Sequence, residues 1–163
     1  MLQPNELGIL RRCIVLSREA VEAGDEPFGS VLADGGGQLL REERNREITS
    51  GDVTAHPELA LAAWASGHLG RQERSEATIY TSAEHCPMCA AAQIWSGVGR
   101  LVFVLAGSTV RELRPLGGPA IDLPAREVIS RSNVAVTVVG PVEELQEEAK
   151  AVFRSQNSDM AEE

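Results

Sequence analysis

No apolar run in this 163-residue chain approaches the roughly 20 residues that span a bilayer, and no basic segment followed by a hydrophobic core opens it. The first absence excludes a transmembrane helix. The second sets the expectation of a cytoplasmic protein with no membrane partner. Cysteine is scarce, at Cys13, Cys86 and Cys89 only. Without a secretion signal, thiols this few and partly clustered favour metal binding over a disulfide framework. Basic residues are outnumbered, 15 Lys and Arg against 24 Asp and Glu, for a formal charge of −9. A protein that grips nucleic acid neutralises phosphates with clustered Lys and Arg, so this balance argues against such a partner and for a small, uncharged one. The deficit is not confined to PVEELQEEAKAVFRSQNSDMAEE, where seven acids face Lys150 and Arg154, because the remainder is acidic too.

What is present is ordinary globular composition, 43% hydrophobic and 24% charged, at a length that suits one domain. That domain is expected over residues 1–155, with 156–163 a disordered acidic tail lacking any apolar pattern. Residues 5 to 23 read as an amphipathic helix stopped by Gly24 and Asp25, with Cys13 a core residue on it. PFGSVLAD and QLLREERNREI read as strands joined by Gly35-Gly36-Gly37, and HPELALAAWASGHLG as a second helix whose C-terminal region carries His68. A polar linker, GRQERSE, leads to the strand ATIYTSA, the helix PMCAAAQIWSG and the buried strand RLVFVLAG. A short helix STVRELRP, a break at Gly117-Gly118-Pro119 and a helical turn within IDLPAREVISRSN precede the strand AVTVVG and a closing helix, PVEELQEEAKAVFRSQ. Helices alternating with strands imply a three-layer α/β/α sandwich.

The chemistry concentrates in His56-Pro57-Glu58 and, about thirty residues on, Cys86-Pro87-Met88-Cys89. These offer one imidazole and two thiolates to a metal. A proline after each candidate ligand is well placed in a helix first turn and pushes the residue before it into extended backbone, so His56 and Cys86 fall at helix starts. Zinc held by three protein groups keeps a fourth position for water, which separates a catalytic site from a closed structural one. Glu58, two residues from His56, can hydrogen-bond that water and move its proton without binding the metal. A closed site would need His85 or Cys13 as fourth ligand, and adjacent His85 and Cys86 on one tetrahedral ion would strain the backbone.

At these residues the chain resembles the cytidine deaminase superfamily, whose pattern is a His-x-Glu followed by Pro-Cys-x-x-Cys. The likeness runs from EPFGSVLAD through RLVFV and is nearest to the branch of bacterial guanine deaminases and tRNA adenosine deaminases. It implies a mixed five-stranded sheet in the sandwich, a Zn2+ cofactor on His56, Cys86 and Cys89, Glu58 as proton shuttle, and a homodimer. It also implies that Asn45, in ERNREI, reaches the substrate. The implied reaction is hydrolytic deamination of a small-molecule heterocyclic amine, a free nucleobase or related ring of guanine, cytosine or aminotriazine type. Adenosine in tRNA, or a nucleoside, is the alternative.

The chain departs from the family pattern in three places. Pro57 stands for the usual alanine, which a helix start tolerates. His85 replaces the usual proline before Cys86, and is read either as a loop histidine or as a group contacting substrate beside the metal. AGSTVR has no acid between Leu105 and Arg111 where guanine deaminases carry one. Phe28 and Trp95 are the aromatic residues that would flank a flat ring, although a core position is the commoner place for each.

Overall fold

In a computed structural model, residues 2, 3, 5–114 and 119–161 are described. Its elements run α1 (Glu6–Glu22), β1 (Gly29–Ala33), β2 (Leu39–Arg44), α2 (Glu47–Ser50), α3 (Pro57–His68), α4 (Arg71–Glu76), β3 (Thr78–Ala83), α5 (Pro87–Ser96), β4 (Arg100–Leu105), α6 (Gly107–Leu113), α7 (Ala125–Ser130), β5 (Thr137–Val139), a 3-10 turn Glu143–Leu145 and α8 (Gln146–Ala161). The strands form one mixed sheet in the order β2-β1-β3-β4-β5. β1 is antiparallel to β2 and β3, while β3, β4 and β5 are parallel. This is the expected three-layer sandwich. Among the described residues no helix is long and apolar enough to cross a membrane.

Alternation along the central strands builds two cores from one sheet. Val31, Tyr80, Val102 and Val104 face Leu10, Cys13 and Ile14 of α1 and Val152 and Phe153 of α8. Their neighbours point the other way. Leu32 and Ile79 meet Leu61 and Ala65 of α3, and Leu101 and Phe103 meet Ala90 of α5 and Ile129 of α7. β2 is the exposed edge and carries Arg41, Glu42, Glu43 and Arg44, charges that suit an unpaired strand. Cys13 is fully buried, as its helical spacing suggested.

Four boundaries differ from the sequence reading. GRQERSE forms α4, because Glu73 Oε2 accepts the N–H of Gly70 at 2.6 Å and satisfies a helix start. The second strand stops at Arg44, and the following residues turn into α2, drawn by Asp25. The last strand pairs with β4 over Thr137–Val139 only. Where a tail was expected from residue 156, α8 continues to Ala161, and Asn157 Nδ2 donates to the carbonyl of Leu113 at 3.0 Å. The expected break at Gly117-Gly118 lies outside the described residues.

Two features aim the structure at one end of the sheet. α3 and α5 lie side by side, and each starts near the carboxyl end of β3, where open α/β sheets place their clefts. Glu84, just past β3, accepts the N–H of Gly107 at 2.8 Å and of Ala125 at 2.9 Å, so one carboxylate caps both α6 and α7.

Candidate metal centre

Pro57 and Pro87 each occupy the first helical position, which leaves His56 (φ −83°, ψ 139°) and Cys86 (φ −68°, ψ 166°) in extended backbone at the mouths of α3 and α5. Cys89 lies in the first turn of α5 and is buried. Nδ1 of His56 stands 3.6 Å from Cys86 Sγ and 3.5 Å from Cys89 Sγ. One ligand atom from each of the three residues falls within 4.8 Å of the others. Zinc bonds of about 2.0–2.1 Å to nitrogen and about 2.3 Å to sulfur, at tetrahedral angles, would hold N and S about 3.6 Å apart. The spacing and the soft donor set therefore fit zinc. Among the described residues no fourth His, Cys, Asp or Glu joins the group.

The three donors perturb one another's protonation. Hydrogen bonding from Cys89, then from His56, pulls the Cys86 thiol down to about 4 despite its burial. The same contact with Cys86 lifts His56 to about 9 against burial, with Glu58 adding to the rise. Cys86 and burial together push Cys89 far up. Metal binding to such a set displaces protons from its ligands.

Glu58 sits in the first turn of α3 with only 5% of its surface exposed. Its Oε1 accepts a hydrogen bond from Thr81 Oγ1 at 3.0 Å, and Ser30 Oγ donates to the same Thr81 oxygen at 2.8 Å. The other oxygen, Oε2, is 3.8 Å from Cys89 Sγ. Burial raises the Glu58 carboxyl above its ordinary range, so it can hold a proton nearer neutrality than a surface glutamate.

The remaining sequence-predicted residues divide. Asn45 is close by and fully buried, but its amide is engaged within the chain. Nδ2 donates to Glu47 Oε1 at 2.7 Å, and Oδ1 accepts the N–H of Glu47 at 2.9 Å and of Glu26 at 3.4 Å. His85 is neither on a loop surface nor at an open mouth. It is buried beside the Gln93 side chain, and burial pushes it down to about 4, so it is neutral. Phe28 packs edge-on to Phe153 with centroids 5.7 Å apart, under the guanidinium of Arg114. Trp95 is 84% exposed near the far end of α5, where it lines a shallow depression with Ile94, Val128 and Val134. Counted from Pro87, which opens the helix, it lies roughly 12 Å along the axis at the rise of an α-helix. Trp95 therefore faces solvent toward the end of α5 opposite to the one that carries Cys86 and Cys89. His68 closes α3, stacked on Trp64 at 4.4 Å with Nδ1 2.8 Å from the Trp64 carbonyl, a helix-end residue as expected.

Sequence reasoning missed Glu47, whose Oε1 lies 3.0 Å from Nε2 of His56. It also missed Asp25, which fixes the turn that carries Glu47. The available signal was the cluster of acids around Asn45, within the run that reads as the second strand.

Residues 5–105 match the family described as the cytidine and deoxycytidylate deaminase zinc-binding region. A Schizosaccharomyces pombe protein named "Probable cytosine deaminase" is 31% identical over 142 residues, which cover 86% of each chain. The guanine deaminase of Bacillus subtilis is 38% identical over 93 residues, covering 56% of this chain and 59% of that protein, so the match spans little more than half its length. In three dimensions the chain is similar to a guanine deaminase from Nitrosomonas europaea, with a TM-score of 0.76 at 24% identity over 97% of this chain and 86% of that one, a likeness of fold.

Proposed function

The chain belongs to the cytidine and deoxycytidylate deaminase zinc-binding family, and from this we propose that it hydrolytically deaminates a free nucleobase or related aminated heterocycle of guanine, cytosine or aminotriazine type. His56, Cys86 and Cys89 would hold zinc, and the working form would be a cytoplasmic homodimer. Zinc, when bound, supplies a Lewis acid that makes water nucleophilic near neutral pH. The rest falls to the chain. Water adds across the ring C=N bond that carries the exocyclic amine, the C–N bond to that amine breaks, ammonia leaves and a lactam remains. Glu58 moves the protons, taking one from the water as it adds and giving it to the ring nitrogen, then taking a second from the new hydroxyl and giving it to the leaving amine. Thr81 holds Oε1, so Oε2 is the oxygen left on the ligand side. The observation that carries this reading is a buried carboxyl with a raised pKa beside a three-donor set that fits zinc.

Substrate class follows from charge. A chain at −9 has no electrostatic attraction for a polyanion, whereas a neutral ring approaches without penalty. Ammonia release measured on guanine, cytosine, an aminotriazine, their nucleosides and a tRNA anticodon stem-loop tests the reading. Turnover of one or more free rings is expected. Turnover confined to the stem-loop overturns it.

A further inference from the structure

Glu47 lies outside both motifs, yet its Oε1 stands 3.0 Å from Nε2 of His56, while the thiols face Nδ1. A neutral imidazole that ligates through Nδ1 carries its proton on Nε2, and an acceptor for that proton fixes both tautomer and ring orientation.

Glu47 is itself held from three directions. Asn45 grips it at both ends, donating from Nδ2 to the carboxylate at 2.7 Å and accepting its backbone N–H at 2.9 Å. The buried Asp25 accepts the next two N–H groups through Oδ1, from Ile48 at 3.0 Å and Thr49 at 2.8 Å, and the Thr49 hydroxyl through Oδ2 at 2.8 Å. The N–H of Arg46 donates to the carbonyl of Ala55 at 3.1 Å, tying the turn to the residue before His56. A four-residue helical turn cannot hold its shape by propensity alone. The Asn45 side chain just before it, the Asp25 side chain and the Ala55 carbonyl fix it with its carboxylate against the histidine.

We infer that Glu47 is the positioning residue of the metal centre, holding Nε2–H of His56 so that Nδ1 is presented with the two sulfurs, while Asn45 and Asp25 hold Glu47. The inference rests on the zinc site proposed above. It also gives Asn45 a task within the chain, on the carboxylate that orients a ligand.

The His56 and Glu47 side chains each keep 23% exposure, so water can replace a missing carboxylate and the effect is graded. Zinc affinity, measured by competition with a chromophoric chelator, should fall roughly 10–100-fold in Glu47→Ala. Glu47→Gln, whose carbonyl oxygen still accepts from Nε2–H, should recover most of it. Visible bands of the cobalt(II)-substituted chain should shift in the alanine variant and not in the glutamine one, with the metal-free unfolding midpoint unchanged in both. Equal affinity in the parent and Glu47→Ala overturns the role of Glu47 and leaves the site standing. A loss that glutamine does not recover, with a lower metal-free midpoint, assigns Glu47 to the fold and overturns it too. Zinc affinity untouched by His56→Ala overturns the site, and the inference with it.

Discussion

At the scale of single residues, burial moves two neighbours of the thiol pair in opposite directions. Burial leaves His85 neutral, down to about 4, and makes Glu58 a weaker acid. Thr81 holds one oxygen of Glu58 and so fixes the direction of its carboxyl. A proton shuttle needs a carboxyl that both gains and loses a proton, and an amide of the same shape does neither. Glu58→Gln is therefore expected to lower kcat by roughly 10²–10⁴ while zinc content stays at the parent value. Ammonia release and metal analysis on the same sample separate the possibilities. Unchanged kcat removes Glu58 from the reaction, and lost zinc makes it a ligand.

At the scale of elements, α1 lies very close on β1. A Cβ on Gly29 would meet the carbonyl oxygen of Cys13 and Leu16 Cβ at 2.5 Å each and the Ser17 nitrogen at 2.6 Å, so no side chain fits beneath the helix. Gly29→Ala should cost about 1–3 kcal/mol by overpacking, read as a melting point several degrees lower; an unchanged one would contradict this close approach. Much of this level was legible in the sequence. The buried runs of β1, β3 and β4 and the prolines that open α3 and α5 are local signals, and they place His56 and Cys86 at helix mouths. The side on which Trp95 falls was not read correctly: Cys89, Ala90, Gln93 and Ser96 form the buried side of α5, and Trp95 lies outside it, neither in the core nor against a ring. α2 was not legible, because the Asp25 that shapes it lies more than twenty residues earlier and acts through its side chain. Glu47 was hidden for the same reason, since its contact with His56 exists only once that turn has formed.

At the scale of the molecule, two buried carboxylates tie distant segments together at separate places in the fold. Glu6 of α1 accepts from the Tyr80 hydroxyl at 2.7 Å and pairs with Arg100 of β4. Asp25 pairs with Arg44 at 3.0 Å and holds α2. Burial alone would raise both carboxyls. The Arg100, Gln3 and Tyr80 bonds outweigh it at Glu6, and the Thr49, Arg44 and Ile48 bonds outweigh it at Asp25, so each ends below its ordinary value. A carboxyl more acidic in the folded chain than in the unfolded one stabilises the fold fully above the unfolded pKa and loses that contribution as pH falls through the folded one. Stability should therefore hold near neutrality and start to fall as pH drops toward about 4, the ordinary carboxylate range. The metal-free chain is the sample to use, because protonation of metal ligands would otherwise add to the slope. Urea midpoints of the parent should decline between about pH 5 and pH 3. Glu6→Gln and Asp25→Asn should each start from a lower midpoint at neutral pH and lose less on acidification, since neither has that proton to take up. A decline as steep in both variants as in the parent would mean that other carboxylates govern acid unfolding.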